Sequence, residues 1–282
     1  MRRGVAAVAG CKIVDVRLPK SRYRPISLTP KFATFKKGLV GKQIDSVERA
    51  GKRILFRLDS GSCIVIEPRM TGLVFLSSPP NDAHLRLIVE LEVTAPGSPE
   101  QFLFWDQRGL GVVRLVTPFE YDRHYGPNKV GPDAMVADAD TLRERFGESS
   151  RAIKVALLDQ RALAGIGNLY ASEILHLAQI SPVKRCNGLT REEWHRLCDS
   201  MRRVLSDAIE HQGSTLKDGT YRIAHDEPGN YQFSHRVYQR AGKRCNSCGK
   251  GEIVRMVQAQ RSTFFCPKCQ PTRRGSRRRG EA

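Results

Sequence analysis

Two Cys-x-x-Cys pairs, Cys245-Asn246-Ser247-Cys248 and Cys266-Pro267-Lys268-Cys269, stand seventeen residues apart near the C-terminus. Four thiolates at that spacing suit a closed tetrahedral Zn2+ site, each pair presenting two sulfurs from one tight turn. Two unrelated redox pairs are the competing reading. Cys11, Cys63, Cys186 and Cys198 are scattered among apolar residues and read as buried thiols. Without an export signal, eight cysteines argue for reduced thiols or metal rather than disulfides.

The second chemical feature is charge. Lys plus Arg number 47 against 29 Asp plus Glu, a formal net charge of +18. The last twelve residues carry +4 and leave +14 on the body, so the tail alone does not account for the excess. Each phosphate neutralised by such a protein releases a counterion, which makes nucleic acid the first candidate partner. A membrane-surface role would need an amphipathic helix with a basic face and bulky apolar anchors, and none is apparent. The turn Ala164-Gly165-Ile166-Gly167 leads into an apolar-periodic run beginning at Asn168, with Lys154 one helix earlier. Backbone N–H groups at such a helix start can cradle a phosphate, although a plain helix–helix turn would look the same.

These residues need elements to hold them. At 282 residues and 40% apolar composition the chain suits two domains, or one with an appendage, and excludes global disorder. No run approaches the roughly 20 apolar residues that span a bilayer, and Met1-Arg2-Arg3-Gly4 precedes too few apolar residues for a signal-peptide core. The expected location is cytoplasmic, associated with the nucleoid. Residues 1–9 read as the back half of a helix, with Val5 and Val8 on one face and Gly10 as its stop. From Cys11 to Val116 the period is near two, predicting strands at Lys12–Leu18, Gln43–Arg49, Arg53–Leu58, Cys63–Glu67, Leu73–Leu76, Leu85–Val93, Phe102–Trp105 and Val112–Val116. That pattern predicts an antiparallel sandwich or barrel. Beyond Pro132 the pattern turns helical, with helices expected at Asp138–Phe146, Ala152–Leu158 and Asn168–Ala178, and at 190–211 opened by a Thr190…Glu193 capping box. Residues 213–235 read as a long loop, followed by the cysteine hairpin and a disordered basic tail.

Several runs then carry a resemblance. "LLDQRALAGIGNLYASEIL" (157–175), "GSTLKDG" (213–219), "VYQRAGKRCNSCG" (237–249) and "AQRSTFFCPKCQ" (259–270) closely resemble the formamidopyrimidine-DNA glycosylase and endonuclease VIII family, "GSTLKDG" favouring the formamidopyrimidine branch. "AGKRILF" (50–56), "RMTG" (69–72) and "DQRGLG" (106–111) match more weakly. The resemblance implies an α+β multidomain protein: an antiparallel β-sandwich over 1–125, a helix-two-turns-helix domain with a lesion loop over 126–235, a four-cysteine zinc β-hairpin finger over 236–270, and the basic tail 271–282. It implies double-stranded DNA with oxidised bases bound in the cleft between domains, by a monomer. The implied activity is excision of oxidised purines such as 8-oxoguanine, followed by cleavage at the abasic site.

Residue by residue, Lys52 matches the family lysine that assists β-elimination, where a solvated strand-end lysine is the plain alternative. Arg261 matches the arginine assigned to δ-elimination and phosphate contact. One Zn2+ would then be structural, because four thiolates leave no open position for water. Met70 and Arg108 match residues that fill the hole left by the flipped base. Leu110 stands where the family usually has Phe, offering less stacking and putting opposite-base selectivity in question. His84 matches a DNA-contacting histidine, Lys154 and Asn168 match phosphate contacts, and Lys217 falls in the loop over the extruded base. Ser149 and Ser150 stand near positions where many members are basic, with Arg151 as the substitute.

The largest departure is at the front. Family members open Met-Pro-Glu-Leu-Pro-Glu-Val-Glu-Thr, the proline amine serving as nucleophile and the glutamate as proton donor. By alignment Met1 lies about eight residues later, roughly 12 Å away if that stretch is helical. A miscalled start and a true truncation compete as explanations. As written, residues 1–282 are expected to bind DNA with weak or no glycosylase activity. The alternative functions are a catalytically impaired homologue that binds damaged DNA and a non-enzymatic DNA-binding zinc protein.

Overall fold

The computed structural model describes residues 1–93, 95–216, 221–224 and 226–272. The chain divides into two compact units, one of residues 1–130 with 208–233 and the other of 131–207 with 234–282.

In the first unit the strands are β1 (Ile13–Arg17), β2 (Ser27–Thr29), β3 (Ile44–Ala50), β4 (Arg53–Leu58), β5 (Cys63–Glu67), β6 (Gly72–Phe75), β7 (Leu85–Leu91), β8 (Gln101–Asp106) and β9 (Val112–Val116). They form a four-stranded sheet, β1-β7-β8-β6, and a five-stranded sheet, β2-β9-β5-β4-β3. All pairings are antiparallel except β2 with β9, which is parallel. The sequence missed β2 because it is three residues flanked by Pro25 and Pro30, and parallel pairing leaves no hairpin signal.

Alternation along each strand sorts side chains into separate cores. Phe102 and Phe104 of β8 join Phe56, Ile64 and Ile66 between the sheets, while Leu103 and Trp105 face a second cluster with Leu73, Phe75 and Leu85. The rings of Phe56 and Phe102 stack at 4.6 Å between centroids. Strand β5 is buried on both faces because Cys63 and Val65 turn to a third cluster, covered by Tyr121 and Tyr125. Those tyrosines sit on α2 (Pro118–Tyr125), opened by a Thr117–Glu120 capping box. Helix α1 (Phe32–Leu39) buries Phe35 and Leu39 in the main core. Residues Arg2–Val8 are a 3-10 helix rather than a turn of α-helix, and Val5 and Val8 are buried as expected.

The second unit holds α3 (Ala139–Phe146), α4 (Ile153–Ala156), α5 (Asn168–Leu177), most of α6 (Arg191–Glu210), and the hairpin β10 (Val254–Gln258) with β11 (Arg261–Phe265). The Thr190 N–H reaches Glu193 Oε2 at 2.8 Å and the Glu193 N–H reaches Thr190 Oγ1 at 3.3 Å, the reciprocal cap read from the sequence. Among the described residues no helix is long and apolar enough to cross a membrane. Cys11, Cys63, Cys186 and Cys198 are buried thiols.

Candidate nucleic-acid interface and metal centre

The first unit places Met70 and Arg108 side by side. Arg108 Nη1 donates to Met70 Sδ at 3.1 Å, and Met70 is 71% exposed, an apolar side chain held out into solvent. Both loops are tied to one buried carboxylate. Asp106 Oδ1 accepts from Thr71 Oγ1 at 2.5 Å and from the Arg108 N–H at 3.2 Å, and Oδ2 accepts from the Gly111 N–H at 2.7 Å. Between them Gly109 adopts φ +60°, and a Cβ there would lie 2.3 Å from the Arg24 carbonyl oxygen, so only glycine fits. Leu110, half-buried, follows it.

Met70 is also set from its other side. Glu67, nearly buried, accepts from Arg114 Nη1 at 2.8 Å and Tyr125 Oη at 3.2 Å, with Arg53 at 3.5 Å and Arg69 at 3.6 Å. Arg69 has φ +57°, a left-handed conformation uncommon for its type, in the tight turn closed by the Gly72 N–H to the Pro68 carbonyl. Lys52 occupies the two-residue turn Gly51-Lys52 between β3 and β4, adjacent to Arg53. His84 lies between Tyr23, 4.5 Å away, and the edge of Trp105, 5.4 Å away. Burial and then the Arg86 charge lower its pKa.

In the second unit the glycine turn is scaffolded by Gln160. Its Nε2 donates to the Ile166 carbonyl at 3.0 Å and its Oε1 accepts from the Gly165 N–H at 3.0 Å. Helix α5 starts at Asn168, whose Nδ2 donates to the Ser262 carbonyl at 2.9 Å. Lys154 Nζ donates to Asn168 Oδ1 at 2.5 Å and lies 3.5 Å from the same Ser262 carbonyl. Lys154 has no exposed surface. Burial, and then the neighbouring Arg261 charge, bring its pKa from an ordinary 10.5 down to about 8. No carboxylate pairs with Lys154 among the described residues. Two cations and an amide therefore converge at the N-terminus of a ten-residue helix, where the helix dipole also favours an anion. Arg261 follows the hairpin tip Ala259-Gln260, where both residues have positive φ, 45° and 61°.

Cys245, Cys248, Cys266 and Cys269 bring their sulfurs within 4.8 Å of one another. Cys245 and Cys269 are 3.8 Å apart, and Cys248 and Cys266 are 3.9 Å apart. A tetrahedron with Zn–S bonds of about 2.3 Å has sulfur–sulfur edges of about 3.8 Å, so the cluster fits that ion. The backbone N–H groups of Lys250 and Gly251 hold the Cys248 thiol below its ordinary pKa. A Cβ at Gly251 would lie 2.5 Å from Cys266 Sγ. Helix α5 grips this finger at three points. Asn168 holds Ser262, Glu173 accepts the backbone N–H groups of Arg236, Val237 and Tyr238 at 2.8–3.0 Å, and His176 Nε2 lies 3.5 Å from Cys245 Sγ. His176 is buried, and burial followed by the Arg236 charge brings its pKa to about 4. Gln270 links the finger to the Ile180 carbonyl at 2.8 Å.

Sequence reasoning did not single out Asp106, Glu67, Gln160, Glu173, His176 or Gln270. All are polar residues inside apolar or motif-bearing runs, a signal that was present and unused. Arg151 pairs with Asp159 at 3.2 Å and with Ser149 Oγ at 3.3 Å, so part of its charge is already matched within the protein. Ser150 is exposed beside it. Lys217 and the basic tail beyond residue 272 lie outside the described residues.

Three family descriptions match the chain: the formamidopyrimidine-DNA glycosylase N-terminal domain over residues 1–113, the formamidopyrimidine-DNA glycosylase H2TH domain over 130–220, and the zinc finger found in FPG and IleRS over 242–272. A formamidopyrimidine-DNA glycosylase of Chloroflexus aggregans is 38% identical over 87% of this chain and 87% of its own length. One from Caulobacter sp. (strain K31) is 34% identical, covering 96% of each. The crystal structure of the MutM (Fpg) protein from Thermus thermophilus superposes with a TM-score of 0.79 at 34% identity, over 93% of this chain and 92% of that one. Lactococcus lactis Fpg in complex with abasic-site DNA superposes at 0.82 with 30% identity, over 96% and 97%. With that identity along nearly its whole length, on a sandwich, a helical unit and a four-cysteine finger, the chain belongs to the formamidopyrimidine-DNA glycosylase family.

Proposed function

We propose that this protein is a base-excision DNA repair glycosylase and abasic-site lyase acting on oxidised purines such as 8-oxoguanine in duplex DNA. The observation that carries the reading is the Lys154–Asn168–Arg261 cluster. A buried lysine without a carboxylate partner, its pKa lowered to about 8 by burial and by an arginine, gains from a neighbouring anion. A backbone phosphate favours the protonated Lys154 and shares donors from Asn168 and the start of α5.

A base in a stacked duplex must leave the stack before its sugar can be attacked. Met70 and Arg108, braced by Asp106 and Glu67, suit the vacated space: an exposed apolar wedge beside a cation. Leu110 follows as a smaller apolar surface. An amine nucleophile then displaces the base at C1′, and the resulting Schiff base acidifies the sugar for elimination. Lys52 assists the first elimination and Arg261 the second, with His84 among the DNA contacts. A single Zn2+ held by Cys245, Cys248, Cys266 and Cys269 would be structural, fixing the hairpin that carries Arg261.

The test uses a duplex with one 8-oxoguanine and the chain carrying Pro-Glu-Leu-Pro-Glu-Val-Glu-Thr ahead of residue 1. The expected result is a borohydride-trapped protein–DNA adduct and a cleaved strand. A polypeptide that binds the duplex yet yields neither would overturn the assignment in favour of a binding protein.

A further inference from the structure

The loop between β1 and β2 is unusually basic and has no role in the chemistry above. Residues 18–26, Leu-Pro-Lys-Ser-Arg-Tyr-Arg-Pro-Ile, contain three cations and no acid. Lys20, Arg22 and Arg24 are exposed, and no carboxylate pairs with any of them among the described residues. A solvated charged loop would ordinarily be loosely held. This one is pinned at several points. Arg86, buried, donates through Nη1 to Ser21 Oγ at 2.7 Å, and Ser21 Oγ donates to the Ala83 carbonyl at 3.0 Å. The Tyr23 ring packs tilted against His84, 4.5 Å between centroids, and the Arg22 guanidinium lies over the Tyr23 ring at 5.2 Å. Arg22 is thereby held in place by an aromatic platform that leaves its charge uncompensated.

The pins lead to the wedge. The same Arg86 donates through Nε to the Asp106 carbonyl at 2.9 Å, and the Asp106 carboxylate holds the backbone of Arg108 and Gly111. The Arg24 carbonyl packs against Gly109 so closely that no side chain fits between. Asp106 is thus tied both to the residues that would enter a duplex and, through Arg86 and Ser21, to the loop that carries Arg22 and Arg24.

The geometry points to residues 20–24 as a second DNA-contacting ridge, in which Arg22 and Arg24 grip backbone phosphates flanking the lesion while Met70 and Arg108 occupy the stack. The inference rests on the proposed DNA-repair reading. Phosphate contacts of this kind set register and carry no sequence information, so the ridge would steady the wedge on any duplex.

The experiment measures affinity of the full chain for a duplex with a tetrahydrofuran abasic analogue, by anisotropy, across a salt series. The variants are Arg22→Ala with Arg24→Ala, and a charge-matched control, Arg143→Ala with Arg145→Ala, on helix α3 among Asp140, Glu144 and Glu148. Because the ridge variant leaves two phosphates without their cations, its slope of log affinity against log salt becomes shallower by about 1.8. Between about 50 and 200 mM salt the wild type then loses about 12-fold more affinity than the ridge variant. The control keeps the wild-type slope. A neutral methylphosphonate stepped through the phosphates around the lesion costs the wild type affinity at positions where the ridge variant is indifferent. A ridge variant whose slope equals that of the wild type, in a chain that binds normally, overturns the ridge alone. Failure of the wild-type chain to bind at low salt would overturn the underlying reading with it.

Discussion

Asp106 Oδ2 accepts the backbone N–H of Gly111 at 2.7 Å while its Oδ1 holds Thr71 and Arg108, so one buried carboxylate closes the loop that carries Arg108 and joins it to the turn that carries Met70. Asp106→Asn replaces an acceptor with an N–H2 group that must face at least one of these donors. The expected cost is about 1–3 kcal/mol of stability in the sandwich unit. Weaker binding to abasic duplex should accompany it, because the wedge loses its support. Chemical denaturation and anisotropy on the same preparation read both, and a variant unchanged in both contradicts the assignment.

Lys154 gives a pH signature. Its pKa in the folded protein is about 8, below the ordinary 10.5. The folded state therefore binds fewer protons than the unfolded state between those values, and stability rises as pH climbs from about 8 toward 10.5. DNA affinity should move the opposite way, because a phosphate prefers the protonated amine. Affinity should fall as pH passes 8, beyond the loss shown by Lys154→Met. The same variant should be more stable than wild type at neutral pH, with ~3 kcal/mol as the ceiling set by the pKa difference. Parallel pH profiles of affinity for wild type and Lys154→Met check this, and identical profiles would rule Lys154 out as a phosphate ligand.

His176 should tune the finger. Its Nε2 is 3.5 Å from Cys245 Sγ, within reach of a hydrogen bond to a metal-bound thiolate. Supporting hydrogen bonds of this class typically change metal affinity by about 10- to 100-fold. His176→Phe fills a similar space without a donor and should release zinc to a chelator faster. In the cobalt-substituted protein its thiolate-to-metal charge-transfer band should move to lower energy. Unchanged release and an unchanged band would reduce His176 to a packing residue.

The hairpin tip offers a stabilising substitution. Ala259 and Gln260 both have positive φ, the requirement of a two-residue type I′ turn, which Asn-Gly meets with less strain. Ala259→Asn with Gln260→Gly should stabilise the second unit by about 1 kcal/mol. Abasic-DNA affinity should be retained, since Arg261 keeps its place. A lower melting temperature would show that the tip's own side chains matter more than its backbone strain.

The strands from Arg53 to Val116 were legible because their apolar residues alternate or run continuously, and the edges of β4, β5 and β9 fall where the pattern put them. Helix α1 was hidden because Phe32, Phe35 and Leu39 at helical spacing lie inside a region read with a period of two. Helix α2 was missed although Thr117-Pro118 with Glu120 is a complete starting signal. The metal cluster was readable from spacing alone, because Cys-x-x-Cys turns are local. Lys52, Met70 and Arg108 could be named only through resemblance, since nothing local distinguishes them from surface residues. Their braces, Asp106 and Glu67, act across 35 to 58 positions of sequence, a range that periodicity does not reach.

The most direct test of the phosphate cradle is the salt dependence of binding by the zinc-loaded protein to an abasic duplex, measured for wild type and for Arg261→Ala combined with Lys154→Met. Loss of one phosphate held by two cations should weaken binding at every salt concentration and make the slope shallower by about 1. Equal affinity and equal slope in the two proteins would contradict the claim that these residues hold the DNA backbone.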